Sequence, residues 1–497
     1  MAGVALARTT SPNDSVGPCA NLPAVGPDHA RAGGVTGATI AVVGGGITGL
    51  AAAYELSRGE NAPGVVLLEA GDRLGGKITT TEFAGVPVDC GPDAILARVP
   101  WAGELMRELG LGPQIVSPAA AGASVYARGR LRPLPEGLVR GVPSQVLPLL
   151  RSGILSPSGI ARAGLDLVLP RHNHGGDPTI AQVIGGRFGL EVVDRLVGPL
   201  LSAINAGRAD SLSLRATAPD IEALASGSRS LLLGLRGHRR KVPEPSSLGP
   251  LFISLRGGLE RLVDRLVEEL RAAGVELRTG TPVTELGRDG RRWRLDPLDR
   301  PVDGVVLTAP AFVTAPLLAE VSPVASLGLA GVVYSSVAVA TLAYREAALP
   351  RPLSGSGFVV PRSEGWLMTA CTFVSSKWPA LHPPGRVIMR CSAGRHGDNR
   401  PAALSDDDLV DLLHGELKQA VGVTEAPVQW RVDRWDRSFP QYGPGHLARA
   451  DRIDAALAVG APGVVVTGAS MRGVGIAACV RQARDAGRKV WPGALPH

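Results

Sequence analysis

The stretch TIAVVGGGITG, residues 39–49, decides the fold of this chain. Its first part, residues 39–43, is apolar and β-branched, which predicts a buried parallel strand ending at Gly44. Gly44, Gly46 and Gly49 occupy the three fixed positions of G-x-G-x-x-G, and the apolar residues behind them have helical spacing. In such a turn the first glycine permits the bend, the second admits a pyrophosphate, and the third lets the helix approach the strand. The stretch therefore predicts a phosphate site at a helix N-terminus, where free N–H groups point outward.

A second predicted strand strengthens this interpretation. Residues 65–68 are apolar and run into Glu69, twenty residues after Gly49, where a carboxylate can bind an adenosine ribose. The glycine pattern alone is weak in a chain with 64 glycines, because a structural βαβ unit could keep glycines for packing alone. The strand and the carboxylate together favour a dinucleotide site.

The loop after Glu69 indicates which dinucleotide the site binds. It reads ExxxRxGGK through Arg73, Gly76 and Lys77, which resembles the superfamily of flavin-containing amine oxidases and porphyrinogen oxidases. The resemblance implies one non-covalently bound FAD per chain, whereas the spacing alone does not distinguish FAD from NAD.

Later motifs make the resemblance more specific. In order along the chain, they look like those of the oxygen-dependent porphyrinogen oxidases of haem synthesis, and the match covers nearly everything from Ala38 onward. Asn205 is a departure, since the family usually carries Tyr there, and Ala203 replaces a common Gly. The motifs are GPDAILAR (91–98), RLRPLPEG (130–137), LLSAINAGRADSLSLRATAP (200–219), FISLRGGLERLV (252–263), ACTFVSSKWP (370–379), RWDRSFPQYGPGH (434–446) and TGASMRGVGIAAC (467–479).

Several cofactor contacts follow from the resemblance. Val283 would contact adenine through its backbone, and Trp435 would contact the flavin, although an aromatic packed between domains is the alternative for Trp435. A helix beginning at Ile476 would stabilise negative charge at the N1/O2 edge of a reduced flavin. The full set of expected contacts is Gly44, Gly45, Gly46, Ile47, Thr48, Gly49, Glu69, Ala70, Arg73, Gly76, Lys77, Gly91, Pro92, Asp93, Ala94, Val283, Trp435, Gly473, Val474 and Gly475.

The expected fold is α/β, with a discontinuous Rossmann-like FAD-binding domain, an inserted α+β substrate domain and a helical subdomain. A chain of 497 residues is too long for one ordinary core. Predicted strands at residues 304–308 and 464–466 complete the nucleotide sheet. The expected segments are a disordered extension at 1–37, the FAD-binding domain at 38–119, 241–310 and 426–497, and the substrate-binding domain at 120–240, which is mainly helical, and 311–425.

Composition limits the partners. The net charge of +7 fits an acidic small molecule better than nucleic acid, because the densest basic run, residues 236–241, is short and is expected in a loop. Five scattered cysteines suggest neither a disulfide framework nor a metal site and fit a reducing cytoplasm. No apolar run is long enough to span a bilayer. Residues 142–171 could rest on a membrane surface, but buried substrate-domain helices are favoured.

The resemblance implies that the cofactor carries the chemistry. A porphyrinogen would lose six electrons in three cycles of hydride transfer to flavin, with three O2 reduced to three H2O2, so no catalytic side chain is expected. His446 is interpreted as structural rather than as a base. The substrate carboxylates need cationic partners, for which Arg98 and then Lys377 are the candidates, against the alternative that both are ordinary surface or interdomain charges.

Within this family the motifs look most similar to the water-soluble enzymes of Gram-positive bacteria that convert coproporphyrinogen III to coproporphyrin III. Oxidation of protoporphyrinogen IX is the first alternative. An amine oxidase or carotenoid-type desaturase, and an inactive flavin-binding partner of the haem pathway, are further alternatives. A cytoplasmic location, peripheral membrane contact and contact with haem-pathway enzymes complete the expectations.

Overall fold

The computed structural model of this chain describes residues 37–120, 122–170, 175–241 and 250–492. The predicted disordered extension 1–37 lies outside the described residues except for Gly37, which is an exposed bend.

A parallel five-stranded sheet lies at the centre of the nucleotide region, as predicted. Every neighbouring pair in it is parallel. Four of its strands are buried, as expected where helices cover both faces, whereas the edge strand Glu276–Arg278 is partly exposed. Three distant parts of the sequence contribute strands, so the region is discontinuous. The strands in spatial order are Glu276–Arg278, Gly64–Leu68, Thr39–Val43, Gly304–Leu307 and Val464–Val466.

Helices pack on both faces of this sheet. One layer contains Ile47–Leu56, Pro100–Glu108, Glu260–Ala272 and Ile476–Val490, whose apolar sides share a single core with the sheet. The opposite layer contains Ala311–Leu317, Pro323–Ala330 and His446–Gly460. The chain therefore forms a mixed α/β fold.

Short antiparallel elements surround the sheet. Residues 78–92, ITTTEFAGVPVDCGP, alternate in a pattern that predicts a hairpin. The hairpin is present, with Thr80–Phe83 paired to Val86–Asp89. Its two turn residues, Ala84 and Gly85, have φ of 54° and 85°, the left-handed values that a tight hairpin turn requires. The remaining short strands are Ile95–Leu96, Phe252–Leu255 and Ile115–Val116 in one sheet, and the pairs Glu285–Asp289 with Arg292–Asp296 and Leu138–Val139 with Val142–Pro143.

A second, seven-stranded sheet forms the inserted region. The alternating residues 334–344, YSSVAVATLAY, predict a strand of a half-exposed antiparallel sheet. The strand Tyr334–Arg345 is antiparallel to its neighbours, but it pairs on both sides and is mostly buried, which corrects the expected exposure. Gln429–Pro440 also belongs to this sheet, so the predicted segment 426–497 contributes to both sheets. The strands in spatial order are Gln429–Pro440, Tyr334–Arg345, Arg386–Ala393, Met368–Phe373, Gly357–Val359, Ala123–Ala127 and Arg130–Pro133.

A helical cluster packs beside the second sheet. The basic run 236–241, expected in a loop, lies within the helix Leu231–Lys241 because Leu231, Leu232 and Leu235 anchor that helix in the core. The remaining α-helices are Val146–Ser152, Pro157–Gly164, Ile180–Phe188, Leu190–Val192, Gly198–Asn205, Leu214–Thr217 and Pro219–Gly227 here, with Val374–Lys377 and Asp406–Val421 beside the sheet.

The segment 142–171 is only partly buried. Leu149 and Leu155 are in the core, whereas Leu147, Leu150 and Val168 are 52%, 53% and 67% exposed. The prediction that this segment consists of buried helices therefore holds for one side of it. Within the described ranges, no helix is long and apolar enough to cross a membrane.

Residues 406–420 predict an amphipathic helix with Ser405 as its N-cap and Leu409, Leu412, Leu413 and Leu417 facing inward. The structure contains this helix as Asp406–Val421. Its N-cap is Ser405, whose side chain accepts a hydrogen bond from the Asp408 N–H at 3.2 Å. Leu409, Leu413 and Leu417 are buried as expected. Leu412, also expected to face inward, is instead 50% exposed.

Candidate functional site

The glycines of the turn have different environments. The Gly44 N–H donates to the Leu68 carbonyl at 2.8 Å, and Gly44 has φ of 105°, which only glycine adopts readily. A Cβ on Gly49 would overlap the Gly44 carbonyl oxygen, so helix and strand touch there. A Cβ on Gly46 would meet nothing within 4 Å. Gly44 and Gly49 are therefore required by packing, whereas Gly46 faces open space in which a phosphate fits.

Glu69 lies at the end of its strand beside this turn. One carboxylate oxygen accepts the Gly45 N–H at 2.6 Å and the other accepts the Gly71 N–H at 2.8 Å. These two bonds fix the carboxylate against the glycine turn, where the sequence places the adenosine ribose.

The backbone near Val283 is available for a ligand. Thr281 donates its N–H to the Glu69 carbonyl at 2.8 Å, which brings this segment to the Glu69 end of the site. Neither the N–H nor the carbonyl of Val283 has a hydrogen bond within the described chain. Both groups are thus free to contact adenine, as the resemblance implies.

The Gly75–Gly76 bend packs directly on the glycine turn. The Gly75 N–H donates to the Gly45 carbonyl at 2.8 Å, and a Cβ on Gly76 would lie 3.1 Å from the Gly46 Cα. Both bend residues have positive φ, 107° and 58°. Two loops therefore meet through backbone atoms alone.

The two cations of the ExxxRxGGK motif bind protein groups. The Arg73 guanidinium donates to the carbonyls of Gly76 and Ile78 and so folds its own loop. The Lys77 ammonium donates to the Ser438 carbonyl at 2.6 Å, which connects the nucleotide region to the second sheet. These hydrogen bonds stabilise the protein itself, and they do not exclude a ligand near Arg73 and Lys77.

Gly91 and Trp435 meet beside Lys77. A Cβ on Gly91 would overlap the Lys77 carbonyl oxygen and would lie 3.6 Å from the Trp435 ring. The Trp435 indole N–H donates to the Cys90 carbonyl at 3.3 Å. These three predicted cofactor residues therefore lie together, although they are far apart in sequence.

Asp93 and Lys377 form an ion pair that the sequence did not predict. The Lys377 ammonium donates to the Asp93 carboxylate at 2.8 Å, and the Trp378 indole N–H approaches the same oxygen at 3.4 Å. Burial alone would raise the pKa of Asp93, but Lys377 and then Arg390 overcome this and lower it to about 2. Lys377, expected to bind a substrate carboxylate, thus already has a carboxylate partner and fixes the loop that carries Asp93.

Arg98 has the opposite environment. It is exposed, and no hydrogen bond or ion pair involves its side chain in the part of the chain that the structure describes. It follows the Gly91–Asp93 loop closely in sequence and remains free to bind an anion.

The carboxyl-terminal helix begins without a side-chain cap at Gly475, and a Cβ there would meet nothing within 4 Å. The Gly473 N–H donates to the Tyr442 hydroxyl at 2.8 Å, which holds the preceding turn. Val474 packs against the core of the helical cluster. A second helix N-terminus thus faces open space, as the first does at Gly46.

The remaining expected contacts flank these groups. Thr48 is buried, and a Cβ on Gly468 would lie 3.1 Å from its hydroxyl. Of the others, Ile47, Pro92 and Ala94 are half-buried and Ala70 is exposed.

His446 occupies a structural position. It is buried and stacks on Tyr442 with ring centroids 3.9 Å apart, and its Nε2 pairs with the Met471 carbonyl at 2.8 Å. Burial lowers its pKa. Because a neutral ring that donates to a carbonyl holds the 468–473 turn, this arrangement supports the structural interpretation of His446.

Sequence reasoning missed Arg390, a buried arginine in the strand Arg386–Ala393. It contacts the loop that contains Gly91. The available signal was a single arginine inside the otherwise apolar run VIMRCSA, since buried arginine requires partners.

These residues fit a flavin dinucleotide. Two glycines at uncapped helix starts leave open space, a carboxylate and free backbone groups lie at one end, and an indole lies at the other. Across the described residues, no group of three or more His, Cys, Asp or Glu could hold a metal ion.

Comparison with known families places this site in context. A family model described as flavin containing amine oxidoreductase matches residues 47–490, most of the chain. The coproporphyrinogen III oxidase of Bacillus subtilis (strain 168) is 36% identical over 458 residues, which cover 90% of this chain and 96% of that protein. The protoporphyrinogen oxidase of Bos taurus is 32% identical and covers 91% of this chain and 98% of its own length.

A solved structure has the same architecture. A protein from Exiguobacterium sp. 255-15, described as a candidate protoporphyrinogen oxidase, superimposes with a TM-score of 0.82 at 31% identity. The alignment covers 92% of this chain and 99% of that one.

Proposed function

This chain belongs to the family of flavin-containing amine oxidoreductases, and from that premise we propose that it is an FAD-dependent oxidase that converts coproporphyrinogen III to coproporphyrin III. The first alternative substrate is protoporphyrinogen IX. The single observation that carries the proposal is the line of ligand-accessible groups from Val283 and Glu69, past Gly46, to Gly475 and Trp435.

This line supports FAD rather than a mononucleotide. Glu69 and the Val283 backbone suit the adenosine end, and Gly46 at its helix start suits the pyrophosphate. The helix that starts at Gly475 lies near the first helix through the contact of Gly468 with Thr48. We propose that one FAD binds non-covalently, because the proposed contacts are backbone groups and a carboxylate that form hydrogen bonds rather than a covalent link.

Bound FAD would accept a hydride from the macrocycle in each of three cycles and transfer the electrons to O2, which leaves as H2O2. The chain's own residues bind and orient. The uncapped helix start at Gly475 would stabilise negative charge at the N1/O2 edge of a bound flavin. Trp435 and Gly91 pack closely together and would form one wall of the flavin site.

Arg98 is the proposed partner of a substrate carboxylate. Its guanidinium is exposed and uncommitted in the described chain, and arginine binds carboxylates in bidentate pairs. Lys377 is a weaker candidate because its ammonium is already paired with Asp93. Coproporphyrinogen carries four propionates and protoporphyrinogen two, so exposed cationic groups favour the former.

The printed names of the relatives support both substrates. The Bacillus subtilis protein is named for coproporphyrinogen III and the Bos taurus protein for protoporphyrinogen, at similar identity to this chain. The small difference in identity, 36% against 32%, is in the direction of the first substrate. We also propose a cytoplasmic location and, as a partner, an enzyme that consumes the porphyrin product.

The direct experiment combines turnover with one variant. The purified protein, supplied with coproporphyrinogen III and O2, should form coproporphyrin III with three H2O2 per porphyrin. Arg98→Ala should raise the Michaelis constant for the substrate about tenfold, as expected for loss of a charge-assisted pair worth about 1.5 kcal/mol or more, while bound flavin is unchanged. An unchanged Michaelis constant removes Arg98 from the substrate site.

Turnover also separates the alternatives. Peroxide formation with amines but not with porphyrinogens would indicate an amine oxidase. A bound flavin that neither class of substrate reduces would indicate an inactive flavin-binding partner.

A further inference from the structure

We propose that Arg390 is a positioning residue, which holds the loop Cys90–Asp93 against the flavin from the opposite domain. The inference rests on the proposed flavin site and extends it to a residue of the inserted sheet. Arg390 itself lies in the strand Arg386–Ala393, about 300 residues beyond the loop that it contacts.

The contacts of Arg390 are specific to this loop. Its Nη2 donates to the Gly91 carbonyl at 2.7 Å and to the Cys90 carbonyl at 3.2 Å. The Cys90 carbonyl also accepts the Trp435 indole N–H. Arg390 is 7% exposed, so water does not compete effectively for these bonds.

Strand alternation explains why this side chain reaches the loop. Met389 and Cys391 point into the core between the second sheet and its covering helix. Arg390, between them, must point to the opposite face, toward the nucleotide region. Its cross-strand neighbours in register are Thr341 and Thr372, whose short side chains leave room for it.

The charge of Arg390 compensates three buried or half-buried carboxylates. Lys377 has the larger effect in lowering the pKa of Asp93, and Arg390 has the next largest. Arg390 also opposes the upward shift that burial imposes on the pKa values of Asp89 and Asp433. Loss of the guanidinium would leave these acids with less positive charge nearby. The loop is therefore held by geometry and by charge together.

Gly91 transmits this restraint to the site. The space at its Cα is closed by the Lys77 carbonyl on one side and by the Trp435 ring on the other. The loop cannot move without displacing one of these proposed flavin neighbours. A change at Arg390 should therefore alter the flavin environment although Arg390 is placed behind the loop.

Arg187 provides a matched control. It is also a buried arginine, 3% exposed, and it donates to backbone carbonyls, those of Ala225 and Ser228 among them. It lies in the helical cluster, and its hydrogen bonds within the described chain reach no residue of the proposed flavin site. Arg187 additionally pairs with the buried Asp166 at 3.6 Å. Arg187→Lys and Arg390→Lys thus each remove a buried guanidinium that donates to backbone carbonyls, at two separate places.

The test measures the FAD dissociation constant and the flavin reduction potential of the wild type, R390K, R390Q and R187K. We expect R390K to weaken FAD binding about tenfold or more, by analogy with the loss of metal affinity when residues that orient metal ligands are replaced, and R390Q to weaken it further. R187K should lower the unfolding temperature but leave both flavin properties unchanged. R390K with wild-type affinity and potential would overturn the proposal, as would an equal effect of R187K.

A second measurement covers the case in which the Arg390 variants do not fold. A crystal structure of the flavin-free wild type should contain the Arg390 bonds to Cys90 and Gly91, because the sheet rather than the cofactor holds the loop. A displaced loop that lacks these bonds would contradict the proposal. A wild-type protein that carried no flavin under any condition would contradict the proposed function itself. That outcome differs from unchanged flavin properties in R390K and from a displaced loop, which contradict only the role of Arg390.

Discussion

The glycines of the first turn separate two kinds of constraint that a sequence motif presents as one. Gly49 is required because a side chain would overlap the Gly44 carbonyl, whereas Gly46 has space for a side chain. Its φ of −72° is also available to any residue. A substitution at Gly46 therefore tests ligand binding without disturbing the folding of the turn.

Gly46→Ala should fold with the stability of the wild type but bind FAD at least about tenfold more weakly, because its Cβ occupies phosphate space. Gly49→Ala should unfold at a clearly lower temperature. Thermal unfolding of the flavin-free proteins and titration with FAD measure the two effects. Equal FAD affinity of Gly46→Ala and wild type would remove the phosphate from this turn.

Asp89 makes a pH-dependent contribution to stability. Its carboxylate accepts hydrogen bonds from the Thr80 hydroxyl at 2.6 Å and the Leu259 N–H at 2.9 Å, but burial dominates and raises its pKa to about 6. The native state therefore binds this proton more tightly than the unfolded state. Its stabilising effect is complete below about pH 4 and is lost as the pH rises through about 6.

Asp89→Asn removes this titration and keeps the accepting oxygen. The wild type should lose about 2.4 kcal/mol of unfolding free energy relative to Asp89→Asn between pH 4 and pH 7. Urea unfolding of both proteins at several pH values gives this difference. A difference that does not vary with pH would show that the Asp89 pKa is ordinary.

At the scale of elements, strands and helices with strong local patterns were predictable. Val464–Val466 and Thr39–Val43 match their predicted bounds. Short β-branched runs that end near glycine favour buried strands of a parallel sheet over the other elements of such a fold. The burial of Tyr334–Arg345 was not predictable. The alternation of its side chains does not show whether one or two strands pair with it, and here a strand pairs on each side. The helix Leu231–Lys241 was missed because its basic end obscured the apolar anchor at its start.

The helix Asp406–Val421 tests how well its inner side is defined. Leu413→Ala should cost about 2–5 kcal/mol of stability because Leu413 is fully buried. Leu412→Ala, at the adjacent exposed position, should change stability by less than about 0.5 kcal/mol. Chemical unfolding of both variants measures the contrast, and similar losses would mean that Leu412 also packs inward.

At the scale of the whole molecule, the site joins segments that the sequence separates widely. The Lys377–Asp93 and Arg390–Gly91 contacts span 284 and 299 residues. Local patterns and the family motifs identified Asp93, Gly91 and Lys377 separately, but neither source predicted that Lys377 would pair with Asp93. Such contacts depend on how the second sheet meets the first, which no local pattern encodes.

Net charge gives a prediction at the same scale. A chain with charge +7 attracts a four-carboxylate substrate more strongly than a two-carboxylate one. Raising the salt concentration from about 0.01 M to 0.15 M shortens the screening length from about 30 Å to about 8 Å. The kcat/KM for coproporphyrinogen III should fall more steeply than that for protoporphyrinogen IX, and parallel changes would argue against electrostatic recognition.

The most direct measurement of the central claim is anaerobic bleaching of the bound flavin by each porphyrinogen, followed in a stopped-flow spectrometer. The proposed function predicts that coproporphyrinogen III bleaches the flavin faster than protoporphyrinogen IX at equal concentration. Faster bleaching by protoporphyrinogen IX would reassign the substrate. A flavin that neither porphyrinogen reduces would contradict the account.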